Sequence, residues 1–261
     1  MTNLMMAQGI DFFRGKRQIL RAAGMDLCEG ELVALVGPNS SGKSTLLKVL
    51  AGLLQPAAGE VMLCGEPQQM LDRFRRAELL SYLPQETQLY WDYTLEDLFE
   101  MTSNSSGLLA GWPGSARKVP PELSEEFDLA PLSGRVLNRL SGGERARALL
   151  AAAVARRPSI LLADEPLASL DIAHQLGLMR LLRQFKQRCA SVVVMHDLNL
   201  AARFADRIVV MEAGRTLLTG PTAEVMNSPR LDDVFGVAFV RSRASDGTIS
   251  VRAMESDSRD R

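Results

Sequence analysis

Short runs of apolar residues alternate with segments of helical periodicity along most of the chain. The run at 32–36 (LVALV) is bounded by Gly30 and Gly37, which predicts a buried strand that ends in a tight loop. Similar runs, with helical patterns such as 173–188 between them, occupy 60–64, 159–163, 191–195 and 207–211. Strands that alternate with helices in this way favour an α/β fold with a mainly parallel sheet.

Two of these runs are followed by recognisable local structure. A helical pattern begins at residue 43, directly after a glycine-containing loop, and Gly52 follows it as glycine often follows a helix end. The four residues 212–215 (EAGR) join the run at 207–211 to a second apolar stretch at 216–219, which is typical of a β-hairpin. We therefore expect strand, glycine loop and helix to be consecutive near the start of the chain.

The character of the sequence changes in two regions. Between residues 100 and 135 it is rich in Ser, Gly and Pro, which predicts an inserted and partly irregular lobe. Residues 241–261 are charged and poor in large apolar side chains, which predicts a flexible C-terminal tail. The sequence has no internal repeat, so one set of motifs in a single domain over residues 1–240 is expected.

Composition and charge disfavour several classes of protein. The 261 residues include 30 basic and 31 acidic side chains, so general attraction to nucleic acid is not expected. Cys28, Cys64 and Cys189 are too few and too scattered for a disulfide framework or a zinc cluster, which fits a reduced, cytosolic location. The apolar run at 148–155 is far shorter than the roughly 20 residues of a membrane-spanning helix. Residues 1–15 lack the pattern of a secretory signal, so export is not expected.

A glycine-rich loop lies between the first predicted helix and the strand before it. Its sequence matches G-x-x-x-x-G-K-[ST], in which backbone N–H groups and a helix N-terminus face a polyphosphate. Lys43 would place a positive charge near the β- and γ-phosphates, and the Ser44 hydroxyl would coordinate Mg²⁺. The alternative, a glycine turn without a ligand, is disfavoured by the flanking strand and helix. The candidate nucleotide-binding residues are Gly37, Pro38, Asn39, Ser40, Ser41, Gly42, Lys43 and Ser44, together with the adjacent Thr45.

Two adjacent carboxylates end the apolar stretch 160–165 (ILLADE). They would lie at the edge of the sheet where α/β proteins bind ligands. Because neighbouring carboxylates repel each other, a bound cation would stabilise the pair. In nucleotide hydrolysis, Asp164 would hold Mg²⁺ and Glu165 would polarise the attacking water. Alone, the pair also fits two solvated residues after a strand, but the phosphate loop on the same chain favours the catalytic interpretation.

A second candidate anion-binding element precedes another helical pattern. Residues 140–144 (LSGGE) lead into the predicted helix 145–156, so Ser141, Gly142 and Gly143 would present N–H groups at a helix N-terminus. Taken alone, this sequence is more often a loop that leads into a helix. Its interpretation depends on the other motifs.

In order and spacing, these motifs resemble those of the ATP-binding cassette (ABC) family. The resemblance covers about residues 4–240 and rests on the phosphate loop, LSGGE, ILLADE, the stretch 168–171 (ASLD) and His196. It implies a P-loop NTPase core with a mainly parallel sheet, an N-terminal antiparallel β subdomain, and an inserted α-helical subdomain at about 88–155. It also implies a homodimer, because in this family the LSGGE motif contacts the γ-phosphate of the nucleotide held by the opposite subunit.

The resemblance gives further residues a role. Gln85, in LPQE, would be the Q-loop glutamine, with a part in catalysis and in metal binding. Asp171 would be the D-loop aspartate at the nucleotide. His196 would be the switch histidine that senses the γ-phosphate, although a lone histidine after a strand is more often a satisfied polar group. An aromatic ring stacks on adenine in this family; Phe13 is the candidate for it, and Phe12 is the alternative.

The resulting site has a catalytic part and a metal-binding part. The candidate catalytic residues are Glu165, His196, Gln85 and Lys43, and the candidate metal ligands are Ser44, Gln85 and Asp164. ATP and Mg²⁺ are the implied cofactors. The sequence departs from common family patterns at Ala146, Ala163, Ser40 and Ser41, none of which removes a catalytic group. We therefore expect a hydrolysing subunit rather than a module that binds ATP without hydrolysing it.

Two stretches, 170–175 (LDIAHQ) and 196–203 (HDLNLAAR), resemble one group within the family, the ATPases of bacterial importers for iron-siderophores, haem and cobalamin. This resemblance implies two integral-membrane permease subunits as partners and, indirectly, a periplasmic or lipid-anchored solute-binding protein, with no nucleic acid. It implies a peripheral location at the cytoplasmic face of the inner membrane. A zinc or manganese importer and a soluble ABC ATPase that acts on DNA or ribosomes are the alternatives.

One segment has two interpretations. Residues 87–99 (TQLYWDYTLEDLF) include Leu89, Trp91, Tyr93 and Leu98. These side chains would either line a groove for a short cytoplasmic helix of the membrane subunit or belong to the core of the inserted lobe. The sequence favours neither.

Overall fold

A six-stranded sheet lies at the centre of the computed structural model, which describes residues 2–85, 92–104, 119–168 and 170–254. In spatial order its strands are β10 (Arg215–Pro221), β9 (Arg207–Glu212), β3 (Leu32–Val36), β8 (Ala190–Val194), β7 (Ile160–Ala163) and β6 (Leu80–Leu83). From β9 to β6 the neighbouring strands are parallel, and the edge pair of β9 and β10 is the antiparallel hairpin expected from the sequence. The prediction of a mainly parallel sheet is confirmed.

Strand β3 shows why a central strand of this sheet is one continuous apolar run. Side chains alternate between the two faces of a strand. Val33 and Leu35 pack into one core, and Leu32, Ala34 and Val36 pack into the other. All five residues are buried, so layers of structure cover both faces of the strand, as is usual for a parallel sheet.

An antiparallel sheet from the first part of the chain packs against one face of the parallel sheet. Its strands, in spatial order, are β2 (Arg17–Cys28), β1 (Asn3–Arg14), β4 (Ala58–Leu63) and β5 (Glu66–Pro67). Ile10 and Leu20 from this sheet share a core with Val33 and Leu35 of β3. The N-terminal antiparallel β subdomain is therefore confirmed.

Most of the helices lie in the chain between successive strands of the parallel sheet. They are α1 (Lys43–Leu50), α2 (Arg73–Leu79), α3 (Leu95–Asn104), α4 (Pro121–Glu126), α5 (Gly142–Val154), α6 (Ile172–Phe185), α7 (Leu198–Phe204), α8 (Thr222–Asn227) and α9 (Arg230–Phe235). Helices α5 and α6 begin before the predicted starts at 145 and 173, because Ser141 and Asp171 cap them with side-chain hydrogen bonds. Among the described residues, no helix has the length and apolar character needed to span a bilayer.

Helices α3, α4 and α5 occupy the region in which an inserted lobe was expected. The larger of the two cores is the one that contains Ala34 and Val36 of β3. Leu95 and Phe99 of α3 and Phe127, just after α4, are buried in this larger core. Tyr93 and Leu98 pack against the same core and are partly buried, which favours the core interpretation for these two residues. Leu89 and Trp91 lie outside the described residues, as does the expected boundary at residue 88, so the limits of the lobe stay a prediction.

The prediction of a flexible tail from residue 241 is wrong for residues 241–254. Strands β11 (Phe239–Arg243) and β12 (Ile249–Ala253) form an antiparallel pair. Ile249 and Val251 are buried in the larger core. The side chain of Asn199 on α7 donates to the Val251 carbonyl oxygen at 3.1 Å and accepts from the Val251 N–H at 2.8 Å. The alternation of apolar and polar residues gives β12 one buried face, which outweighs the polar composition of this region.

Candidate active site

The predicted phosphate loop joins the end of β3 directly to the start of α1. At Gly37 φ is 148°, and a Cβ atom there would overlap the carbonyl oxygen of Met211 on β9, so glycine alone fits. Ser40 has φ 63°, a left-handed conformation that a glycine would adopt with less strain. Position 40 thus has the backbone conformation of a glycine, although serine replaces the glycine that is common in the family. The loop shape is set by its glycines and by the neighbouring strand.

Lys43 is buried in the first turn of α1. Its ammonium donates hydrogen bonds to the carbonyl oxygens of Gly37 and Pro38, each at 2.9 Å. Burial lowers the pKa of Lys43, and the negative charges of Glu165 and Asp164 act in the opposite direction. The loop uses two of the three ammonium hydrogens, which leaves the third for an anionic ligand.

The Ser41 side chain is buried within the phosphate loop. This residue is only 3% exposed, and its hydroxyl has no hydrogen-bond partner in the part of the chain that the structure describes. Buried hydroxyl groups are normally hydrogen-bonded. The Ser41 oxygen is almost inaccessible to solvent, so it faces the protein interior and a polyphosphate would not reach it without a change in the loop.

Asp164 lies at the end of β7, beside the phosphate loop. Its Oδ1 atom accepts a hydrogen bond from the Ser44 hydroxyl at 2.8 Å, and its Oδ2 atom accepts one from the Tyr82 hydroxyl at 3.3 Å. Burial and the Asp164 carboxylate raise the pKa of Tyr82, so its hydroxyl stays protonated and acts as the donor. The hydroxyl of Ser44 and the buried carboxylate of Asp164 are hard oxygen donors, which fit Mg²⁺.

Both oxygens of the Glu165 carboxylate have a partner. Oε1 is 2.8 Å from Nε2 of His196, and Oε2 accepts a hydrogen bond from Nε2 of Gln85 at 2.6 Å. Glu165 itself has φ 50°, in the left-handed region that non-glycine residues rarely occupy outside special sites. The backbone is therefore strained at the candidate catalytic base.

Gln85 is in contact with Glu165 rather than with Ser44 and Asp164. The structure therefore places this side chain beside the candidate base. Its predicted role as a metal ligand stays a prediction, as do the individual roles of the other site residues.

The LSGGE motif begins α5. The Ser141 hydroxyl accepts a hydrogen bond from the Glu144 N–H at 3.3 Å, and the Glu144 carboxylate accepts one from the Ser141 N–H at 2.8 Å. Arg135 also donates to Glu144, at 2.8 Å, and these bonds, with that of Ser141 first, lower the pKa of Glu144 to about 2. The pair is a capping box, which the spacing S-x-x-E predicts and which our sequence analysis missed. Ser141 and Gly142 remain exposed at the helix start.

The candidates Asp171 and Phe13 are both exposed. The Asp171 carboxylate caps α6 by accepting a hydrogen bond from the His174 N–H at 2.9 Å. Phe13 is 45% exposed, whereas Phe12 packs against the core of the N-terminal sheet. Of the two phenylalanines, Phe13 therefore has the ring that is accessible for stacking on a base.

The structure brings the predicted residues together in two groups. The members of the first group are connected by hydrogen bonds, by an ion pair or by being adjacent in the sequence. They are Lys43, Ser44, Gln85, Asp164, Glu165 and His196. Ser141, Gly142, Gly143 and Asp171, at the starts of α5 and α6, form the second group. Within the described ranges, no hydrogen bond or ion pair joins the two groups. Sequence reasoning missed Tyr82 and His174, which contact members of the first and second group respectively.

The family is decided by comparison with known proteins. Residues 20–168 match the family model described as ABC transporter. The chain belongs to the ABC transporter family. This ABC protein is an ATPase, as the resemblance of its motifs implied.

Two curated relatives of this ABC ATPase have import functions in their names. It is 41% identical over 234 residues to the hemin import ATP-binding protein HmuV of Rhizobium meliloti strain 1021, a match that covers 84% of this chain and 86% of the relative. It is 36% identical over 214 residues to the petrobactin import ATP-binding protein FpuC of Bacillus anthracis, with 80% and 78% covered.

The fold of the ABC ATPase also matches solved structures. A dimeric bacterial ABC transporter cassette superposes with a TM-score of 0.72 at 27% identity, over 84% of this chain and 99% of the other.

Replacing Tyr82 with phenylalanine tests the contact that the sequence did not predict. The variant loses the hydrogen bond that holds Oδ2 of Asp164, and such a bond contributes about 0.5–1.5 kcal/mol. We expect the Mg²⁺ concentration that gives half-maximal ATPase activity to rise roughly two- to tenfold. Tyr93→Phe, which alters a partly buried tyrosine away from Asp164, is the control. An unchanged Mg²⁺ dependence in Tyr82→Phe would show that this bond does not hold the carboxylate for the metal.

Proposed function

We propose that the protein is the ATP-hydrolysing subunit of a bacterial importer for a metal chelate, such as an iron-siderophore, haem or cobalamin. The observation that carries the catalytic part is the Glu165 carboxylate, held between Gln85 and His196 and next in the chain to Asp164. The names of the hemin and petrobactin import relatives support the metal-chelate part.

The side chains divide the reaction among them. The loop N–H groups and Lys43 would bind the polyphosphate, and Ser44 and Asp164 would hold Mg²⁺, which supplies positive charge at the β- and γ-phosphates when it is bound. Glu165 would orient a water molecule and accept its proton while the water oxygen bonds to the γ-phosphorus. The bond from that phosphorus to the bridging oxygen breaks, and ADP leaves. His196 and Gln85 fix the direction of the Glu165 carboxylate.

The active form in this proposal is a homodimer with two shared sites. Ser141, Gly142 and Asp171 are exposed. Within the part of the chain that the structure describes, no hydrogen bond or ion pair connects them to the phosphate loop of their own chain. Ile172, next to Asp171, is 76% exposed, which is unusual for a large apolar side chain unless a partner covers it. The dimeric form of the similar ABC cassette supports the same arrangement.

The proposal also includes the rest of the importer. Two integral-membrane permease subunits would bind the ATPase dimer at the cytoplasmic face of the inner membrane, where the protein would be peripheral. A periplasmic or lipid-anchored solute-binding protein would deliver the chelate to the permease. The import functions named in the relatives support these partners.

Uptake in a gene-deletion strain tests this function. The strain should lose uptake of hemin, cobalamin or radiolabelled iron-siderophore and should take up zinc and manganese normally. The wild-type gene should restore uptake, and the gene with Glu165→Gln should not, because transport needs ATP hydrolysis.

The alternatives give different results in the same strain. Loss of zinc or manganese uptake with normal uptake of all three chelates would contradict the metal-chelate proposal. Normal uptake of every solute, despite ATPase activity of the purified protein, would favour a soluble ABC ATPase that has no role in transport.

A further inference from the structure

His174 contacts both elements of the second group of site residues. Nδ1 of His174 is 2.8 Å from Oδ1 of Asp171, the same oxygen that accepts the hydrogen bond from the His174 N–H. The imidazole ring also lies against Gly143, because a Cβ atom on Gly143 would overlap ring atoms of His174. One side chain at the start of α6 therefore touches the LSGGE motif and the D-loop aspartate.

The chemistry of this contact fixes the position of a hydrogen. Hydrogen bonds from the backbone and the side chain of His174 lower the pKa of Asp171, so its carboxylate is ionised and can only accept. Nδ1 of His174 therefore carries the hydrogen. A neutral imidazole with hydrogen on Nδ1 and a protonated imidazole both provide this donor.

Gly143 lies directly beside the His174 ring. It is buried in the first turn of α5, and the space that a side chain would occupy is filled by the His174 ring of the same chain. The ring thus lies against the backbone of α5 within the LSGGE motif. A side chain at position 143 would overlap the His174 ring and displace it.

The imidazole is not needed to cap either helix. The backbone N–H of residue 174 bonds to Asp171 whatever side chain it carries, and Ser141 and Glu144 cap α5 without His174. The His174 side chain is 43% exposed, so its burial adds little to the core. Its distinctive contribution is the connection between the start of α5 and the start of α6.

We propose that His174 is a positioning residue that holds the LSGGE motif and Asp171 in a fixed relation, so that both reach the nucleotide of the partner chain as one unit. This inference rests on the shared site of the proposed function. The phosphate loop belongs to the other group of site residues. Loss of the imidazole should therefore impair closure on the partner's nucleotide and leave ATP binding to the chain's own loop unchanged.

His174→Ala separates these two effects. We expect kcat of the full-length protein to fall by about tenfold or more, since a small misplacement of catalytic groups has effects of this size, while KM for ATP stays the same. In the Glu165→Gln background, the same substitution should raise the protein concentration needed for ATP-dependent dimerisation in sedimentation experiments. Gln184→Ala, on the exposed side of α6, is the matched control and should change neither quantity.

His174→Asn tests the link with a milder change. Its amide restores an N–H donor for Asp171 but not the ring against Gly143, so kcat should lie between the values for wild type and His174→Ala. The melting temperature of His174→Ala would show whether that variant folds. If it does not fold, His174→Asn still tests the proposal. A side chain that served stability alone would lower the melting temperature without changing kcat at a temperature where the variant is folded.

The outcomes distinguish this inference from the proposed function. If wild type lacks ATPase activity, or Glu165→Gln does not dimerise with ATP, the proposed function fails. If both behave as expected but His174→Ala retains wild-type kcat and dimerisation, the role of His174 is refuted. A raised KM with unchanged kcat would also refute it, because that result would place His174 at the nucleotide of its own chain.

Discussion

Glu165→Gln is expected to lower kcat for ATP hydrolysis by about 100-fold or more, the usual contribution of a positioned general base. The amide has nearly the same shape as the carboxylate, so the phosphate loop and the Ser44–Asp164 pair should still bind Mg²⁺ and ATP. The substitution removes the group that accepts the proton from water. ATP should therefore remain bound without being hydrolysed, and the protein should accumulate as an ATP-bound dimer.

Phosphate release and gel filtration with ATP measure the two parts of this result. Glu60→Gln is a suitable control, because it changes an exposed carboxylate on β4, in the N-terminal sheet. Turnover in Glu165→Gln at the wild-type rate would reject Glu165 as the base. Low turnover without formation of a dimer would support Glu165 as the base but would contradict an active site shared between two chains.

Lys43→Ala should abolish measurable ATP binding under ordinary assay conditions. A hydrogen bond to a charged group contributes about 1.5–3 kcal/mol, which corresponds to roughly a 10- to 150-fold loss of affinity for each bond to a phosphate oxygen. The low-dielectric position of Lys43, which already lowers its pKa, strengthens its interaction with an anion.

Titration with a fluorescent ATP analogue measures this loss, and Lys48→Ala, in the last turn of the same helix, is the control. Because Lys43 also satisfies the carbonyl oxygens of Gly37 and Pro38, thermal unfolding should be recorded for both variants. Normal ATP affinity in a folded Lys43→Ala protein would contradict the interpretation of residues 37–44 as a phosphate loop.

The parts of the site that the sequence predicts are those that depend on local structure. The phosphate loop needs a strand before it, glycines within it and a helix after it, and all three are recognisable at residues 32–50. The proximity of Asp164 to Ser44 follows from a general rule, since ligands bind at the carboxyl ends of parallel strands.

The contacts that the sequence did not predict connect residues far apart in the chain. Tyr82 reaches Asp164 because β6 and β7 are neighbours in the sheet, and His174 reaches Gly143 because α6 packs beside α5. Neither strand order nor helix packing is encoded in a local motif. His174 lies in a stretch that helped to indicate the subfamily, but the resemblance gave it no role.

The C-terminal hairpin shows a different reason for error. Its polar composition suggested a flexible tail, although Ile249 and Val251 have the two-residue spacing of a half-buried strand. Composition averages over both faces of a strand and therefore hides a short apolar face. A check for alternation within the region would have predicted β12.

The position of β3 between two cores has a consequence for how nucleotide binding and folding are coupled. Its alternate side chains belong to different cores, and the phosphate loop begins at the next residue. By linkage, a ligand that binds the native loop stabilises every part of the protein that must be folded to form that loop. Here that requirement includes both the N-terminal sheet and the layer on the opposite face. ATP should therefore protect the backbone amides of both layers from hydrogen exchange together, as one cooperative unit.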